Sequence, residues 1–194
     1  MRPLVLASTS RYRAALLDRL GIPYTAVAPG VDETARTGES ASEACVRLAE
    51  AKARAVAAGH PDAIIIGSDQ VADCDGHHVG KPGTLARARE QLAMLSGRTI
   101  VFHTGVAVLD AASGSCAVER VDVRSTFRRL TRAEIDAYLE REKPFDCAGS
   151  VRSERLGIAL FAAIASDDPT ALEGLPLIVT CRMLREAGID VITQ

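Results

Sequence analysis

An α/β domain built on a mixed sheet, spanning residues 1–194, is the fold the sequence predicts, and three patterns predict it. Strand and helix signals alternate through the first sixty residues, one isoleucine run has no polar face, and two long β segments flank a Ser-Gly turn. Leu4 to Ala7 is a short apolar run, followed by Ser8-Thr9-Ser10 and then by Tyr12, Leu16 and Leu20 at helical spacing, with Gly21 as stop. That order reads as strand, loop and helix. A second strand is expected near Tyr24 to Ala28, before Pro29-Gly30, and an alanine-rich helix from about Ser42 to Ala58. The run Ala63-Ile64-Ile65-Ile66-Gly67 is apolar at every position, as in a strand covered on both faces, and it delivers Ser68-Asp69-Gln70 to its carboxyl end.

Asp75-Gly76 marks a turn and Gly80-Lys81-Pro82-Gly83 a loop, after which Thr84 caps a helix through about Leu95. Thr99 to Leu109 and Cys116 to Phe127 surround Ser113-Gly114 as a hairpin. Thr131-x-x-Glu134 is a capping-box pattern that opens a helix ending before Pro144. Beyond it lie a glycine-punctuated segment from Ala148 to Gly157, an apolar stretch from Ile158 to Ile164, an acidic loop at Asp167-Asp168-Pro169, and a last helix from Pro176 to Ala187 before Gly188.

Composition narrows the class of protein. With 47% hydrophobic and 25% charged residues in 194, the chain has an ordinary globular balance and the size to bury roughly 70% of its unfolded surface. Five dispersed cysteines form no C-x-x-C pair, which predicts reduced thiols in a cytoplasmic protein. The apolar run after Arg2 is too short for a signal peptide, and no later stretch reaches bilayer length. A net charge of -2 offers no broad attraction for a nucleic acid polymer, so a small-molecule partner is expected. P-loop, dinucleotide-fold and serine-hydrolase signatures are missing, and His60, His77, His78 and His103 have no metal-ligand spacing.

Several residues could carry chemistry. Ser8, Ser10 and Arg13, with Arg11 and Tyr12 between them, place hydroxyls, backbone N–H groups and cations at a helix start, where proteins cradle phosphate. A plain serine cap with solvated arginines is the competing reading. Asp69 is expected just beyond a buried strand, where open α/β sheets place their ligands. Asp32-Glu33 adds loop carboxylates of the kind magnesium draws on. Lys52 and Lys81 complete a set of cations for a phosphate chain and acids for its metal.

The strings Leu6-Ala7-Ser8-Thr9-Ser10-Arg11-Tyr12-Arg13, Val31-Asp32-Glu33-Thr34, Glu50-Ala51-Lys52-Ala53, Gly67-Ser68-Asp69-Gln70 and Gly80-Lys81-Pro82 resemble the Maf family in order and spacing. Ser68-Asp69-Gln70, with the segment Cys147 to Glu154 and Gly174-Leu175-Pro176-Leu177, resembles its YceF subfamily. That resemblance implies an elongated Maf/ITPase-like mixed-sheet fold with a cleft between two lobes, forming a homodimer. It also implies hydrolysis of 7-methyl-GTP to 7-methyl-GMP and pyrophosphate, assisted by Mg²⁺ or Mn²⁺. Asp69 would act as general base and, with Glu33, hold the metal; Ser8, Ser10, Arg13, Lys52 and Lys81 would bind the phosphates; Tyr12, Gln70 and Glu154 would set specificity. An aromatic face and an acid both suit a base that carries a positive charge. Two alternatives stand beside this reading: the same chemistry on dTTP, UTP or another modified nucleotide, and a non-catalytic nucleotide-binding regulator of septum formation. Arg11, Arg152 and Arg155 depart from the family's usual Pro, Lys and Gly, and a positive φ at Arg155 would strain it.

Overall fold

The protein is described by a computed structural model covering residues 2–193, so the two end positions of the expected 1–194 span lie outside it. Seven strands form one mixed sheet. β1 (Leu4–Leu6) leads into α1 (Arg11–Asp18), β2 (Thr25–Ala26), the long helix α2 (Ala41–Ala57) and β3 (Ile64–Cys74). A two-residue β4 (His77–His78) precedes α3 (Leu85–Leu95), the paired strands β5 (Thr99–Asp110) and β6 (Cys116–Phe127), and α4 (Arg132–Glu142). Short 3₁₀ turns then connect β7 (Phe161–Ala165) and α5 (Leu177–Glu186). Strand order is β2-β1-β3-β5-β6-β7, with β1 parallel to β2 and β3 and the remaining pairs antiparallel.

The helices arise where local chemistry closes their ends. Ser40 caps α2 and exchanges bonds with Glu43, Thr131 and Glu134 do the same for α4, and Thr84 accepts from Arg87 N at the start of α3. Each such cap satisfies amide groups that the first turn leaves without partners. Apolar packing then fixes the layers. One face of the sheet buries Ile65, Ala107 and Leu109 under Ala49 and Ala53 of α2. The other face carries two clusters: Ile64, Ile66, Val106 and Val108 pack against α1 and α5, while Ala72, Ile100 and Phe102 pack against α3 and α4. Between these clusters lies a polar belt of Ser68, Gln70 and Thr104, which divides the sheet into two lobes.

Two expectations change in detail. The isoleucine strand does not stop at Gly67: β3 runs to Cys74, because β5 is long enough to pair with it from Ile64↔Asp110 to Asp73↔Val101. Asp69 is therefore inside a strand, opposite Gly105, and not in the loop beyond one. It remains past the end of the parallel neighbour β1, whose last pairing is Leu6↔Ile66. The second strand shrinks to Thr25–Ala26, both exposed, at the sheet's edge. Among the described residues no helix is long and apolar enough to cross a membrane.

Two glycines set the distance between α2 and the sheet. A β-carbon on Gly67 would stand 2.1 Å from Ala49 O, and one on Gly105 would stand 2.3 Å from Cys45 O, so helix backbone rests on strand backbone. Neither contact is a flexible side chain that could turn aside. Gly67→Ala is expected to destabilise the protein by about 3 kcal/mol, since overpacking of a rigid contact costs roughly 1–3 kcal/mol or more. Urea unfolding checks this; a change under about 0.5 kcal/mol, the range of neutral surface substitutions, would contradict it.

Candidate active site

A cleft of about 1000 Å³ opens between the lobes, and Ser8, Ser10, Tyr12, Arg13, Glu33, Lys52, Asp69, Gln70, Lys81 and Glu154 line it, whereas Asp32 does not. On the amino-terminal wall, the turn from β1 into α1 folds on its own hydroxyls. Ser8 Oγ accepts from Ser10 N (3.1 Å) and Arg13 Nη1 (3.4 Å), and Ser10 Oγ accepts from Arg13 N as the helix cap. Arg13 Nε donates to Gly174 O at 2.9 Å, which anchors the guanidinium while Nη2 has no partner among the described residues. Burial lowers the Arg13 pKa, opposed by the nearby Asp69 and Glu33.

Lys52 forms the centre. Because α2 rests directly on β3 and β5, its ammonium reaches Asp69 Oδ1 at 2.6 Å and Glu33 Oε1 at 2.6 Å. The lysine and Asp69 side chains are only 5% and 9% exposed, whereas Glu33 is 56% exposed. Glu33 is held below the usual carboxylate range: burial opposes the shift, and Lys52, then Lys81 and Arg13, outweigh it. Its loop is braced by Asp32 Oδ1, which accepts from Thr34 N and Oγ1, and by Arg47, which reaches Thr34 O and bonds Glu39 at 2.7 Å. Lys81 lines the cleft from a loop tied down by Gln91 to Gly80 O and by Gly83 N to Phe145 O.

The opposite end is built from distant segments. Tyr12 carries the Arg11 guanidinium over its ring, 4.9 Å from the centroid. Its hydroxyl lies 3.4 Å from Asp146 Oδ2 and 3.5 Å from Cys147 Sγ. Gln70 spends its amide on Thr104 Oγ1, Ala171 O and Leu172 O. Glu154 is exposed on the cleft wall. Arg152 is largely buried and donates to Glu142 O and Asp146 Oδ1, while Arg155 has φ of −131° and pairs with Glu142, so no strain arises at that position.

Sequence reasoning missed three contributors. Asp168, 1% exposed, accepts from Thr170 N and Oγ1 and from Ile178 N and Val179 N, locking a 3₁₀ turn (Pro169–Glu173) onto the start of α5. Gly174, at φ 106°, turns its carbonyl to Arg13 and Ser68, and Glu173 beside it faces the cleft. The acidic loop Asp167-Asp168-Pro169 and the string Gly174-Leu175-Pro176-Leu177 marked the segment without giving these three residues a role. Among the described residues no group of three His, Cys, Asp or Glu is placed to hold a metal.

Fold and cleft together define an α/β protein whose sheet carries a cleft with hydroxyl- and cation-bearing turns facing a buried carboxylate. The chain belongs to the Maf family: the pattern of the Maf-like protein matches residues 3–187. It is 53% identical over 191 residues to the 7-methyl-GTP pyrophosphatase of Albidiferax ferrireducens, covering 98% of this chain and 96% of that one. Identity to the 7-methyl-GTP pyrophosphatase of Bordetella pertussis is 54% over 192 residues, covering 98% and 94%. A HAM1 protein from Coxiella burnetii superposes with a TM-score of 0.46 at 18% identity, covering 67% of this chain and 75% of that one.

Removing Lys52 strands two acids against each other. Lys52→Gln is expected to cost about 3 kcal/mol of stability, as for a buried pair broken on one side, and Asp69→Asn in the same chain should recover part of it. Additive losses in denaturant melts would refute the coupling. Glu39 gives a pH signature: Arg47, then the Arg36 backbone amide, holds its carboxyl down from 4.5 to about 2. A depressed carboxyl stabilises the fold above pH 4.5 and loses that contribution as pH falls through about 2. Glu39→Gln should therefore flatten the acid limb of the stability curve; an unchanged limb would contradict the assignment.

Proposed function

We propose that this protein is a nucleoside triphosphate pyrophosphatase that hydrolyses 7-methyl-GTP to 7-methyl-GMP and pyrophosphate. The observation that carries the reading is the position of Asp69, buried beside Lys52 and across one cleft from the Ser8–Arg13 turn. The near full-length relatives named for that activity support the substrate. Ser8, Ser10, Arg13 and Lys81 provide the donors and cations that a triphosphate needs. With Oδ1 occupied by Lys52, Asp69 keeps Oδ2 to accept the proton of an attacking water. The P–O bond between the α and β phosphates breaks as the water oxygen bonds to phosphorus, and pyrophosphate leaves with the bridging or added oxygen according to which phosphorus is attacked.

Asp69 and Glu33 would hold Mg²⁺ or Mn²⁺. Their fit rests on the donor set: two hard oxygens that meet at one ammonium, with no third acid among the described residues, match an ion that takes one or two protein carboxylates and draws the rest from phosphate and water. When bound, such an ion neutralises charge on the phosphates and orients water. Both acids bond Lys52 in the free protein, so metal and nucleotide are expected to bind together. The aromatic ring of Tyr12 and the carboxylate of Glu154 suit a base made cationic by N7 methylation. Five free thiols support a cytoplasmic setting.

Asp69→Asn should lower kcat about 10³-fold, within the range for loss of a general base, while leaving the fold intact by circular dichroism. Wild-type turnover of that variant with metal present would remove Asp69 from the mechanism. Comparing kcat/KM for 7-methyl-GTP, GTP, dTTP and UTP tests the substrate, and a preference for dTTP would overturn it. Failure to release pyrophosphate from any of the four would favour a binding protein.

A further inference from the structure

The cleft is lined by a further acid, Glu173, that the proposed mechanism does not use. Glu173 ends the Pro169–Glu173 turn, and that turn is pinned from three sides. Gln70 Nε2 donates to Ala171 O (2.8 Å) and Leu172 O (3.2 Å), Thr104 Oγ1 donates to Ala171 O (2.9 Å), and Asp168 Oδ1 accepts from Thr170 N and Oγ1. On the other side, the carbonyl of Gly174 is taken by Arg13 and Ser68, and only glycine adopts the φ of 106° there without strain. The backbone that carries Glu173 is thus fixed, and its side chain lines the same cleft as Glu154.

The carboxylate of Glu173 is half-buried, and among the described residues no hydrogen bond supports its charge. Burial and then the nearby Glu154 raise its pKa, against a weaker pull from Arg19. A half-buried carboxylate beside another acid gains nothing from that neighbour in the free protein. A ligand that brings positive charge and N–H donors between them reverses the balance, because each carboxylate then meets an opposite charge in a partly desolvated cleft.

We infer that Glu173 and Glu154 together form a two-carboxylate subsite for a cationic, donor-rich nucleotide base, with Glu173 as a specificity residue that acts beside Glu154. This rests on the nucleotide pyrophosphatase reading and assigns its base end. An N7-methylated guanine fits the subsite: it spreads a positive charge over the ring and presents N1–H and N2–H₂ donors, whereas unmodified guanine presents the same donors without the charge. Gln70 becomes a positioning residue, since its amide N–H groups hold the turn that presents Glu173.

The test measures kcat/KM for 7-methyl-GTP and for GTP with Mg²⁺ in wild type, Glu173→Gln, Glu154→Gln and the double variant, with thermal melts of each. Glu173→Gln should cut the ratio of the two kcat/KM values about tenfold, mainly through KM for the methylated substrate. It should melt no lower than wild type, because it removes a like-charge contact. The double variant should lose less than the product of the single losses, since both acids face one cation. Gln70→Leu should lower the ratio as well, and should move it no further once Glu173→Gln is present. A ratio within twofold of wild type in Glu173→Gln, or a lowered melting temperature with both substrates falling equally, overturns the inference. If wild type itself shows no preference for 7-methyl-GTP over GTP, the substrate reading fails and the subsite with it; a preference that Glu173→Gln leaves untouched sinks the subsite alone.

Discussion

Gly67 and Gly105 let the backbone of α2 lie directly on β3 and β5, and the remainder of the site is arranged around that contact. A side chain at either position would lift the helix, and with it Lys52, away from Asp69. At the observed spacing the lysine is buried with its ammonium bonded to two acids, one from a strand and one from a loop. The buried charges are tolerated because each is paired and the cleft admits solvent or ligand on one side. A short-range steric fact about two glycines therefore becomes an electrostatic fact about the cleft.

The facing wall depends on a different device. Asp168 satisfies the first amides of α5 and the turn before it, and Gly174 then directs one carbonyl at both Arg13 and Ser68. Arg13 is thereby aimed by a residue 161 positions away in sequence. Its lowered pKa reflects that burial, although a guanidinium stays charged across the physiological range. The polar belt of Ser68, Gln70 and Thr104 serves both lobes, because the same groups that interrupt the apolar face of β3 hold the turn at the mouth of the cleft.

Period and capping made the helices and the long hairpin legible, since a 3.6-residue repeat or a Thr-x-x-Glu box acts within a few residues. The true length of β3 was not, because Ser68, Asp69 and Gln70 look like a loop until the pairing with β5 is known. Likewise the two-residue β2 takes its form from pairing with β1 and shows little apolar pattern of its own. For the site, the order of short motifs identified residues that the structure places around one cleft. What it hid were Asp168, Glu173 and the stacking of Arg11 on Tyr12, whose roles come from contacts and burial that spacing does not encode. The anticipated strain at Arg155 is absent because the chain passes that point at φ −131°.

Lys52 occupies both acids in the free protein, and the proposed mechanism requires an arriving polyphosphate to release them. Titration calorimetry of Mn²⁺ into the protein, alone and with a non-hydrolysable α,β-methylene nucleotide, tests it most directly. The expected result is binding at least about tenfold tighter in the presence of the nucleotide, a coupling of about 1.4 kcal/mol. Equal affinity with and without nucleotide would show that the acids are free to take metal on their own, and would contradict the arrangement on which the mechanism rests.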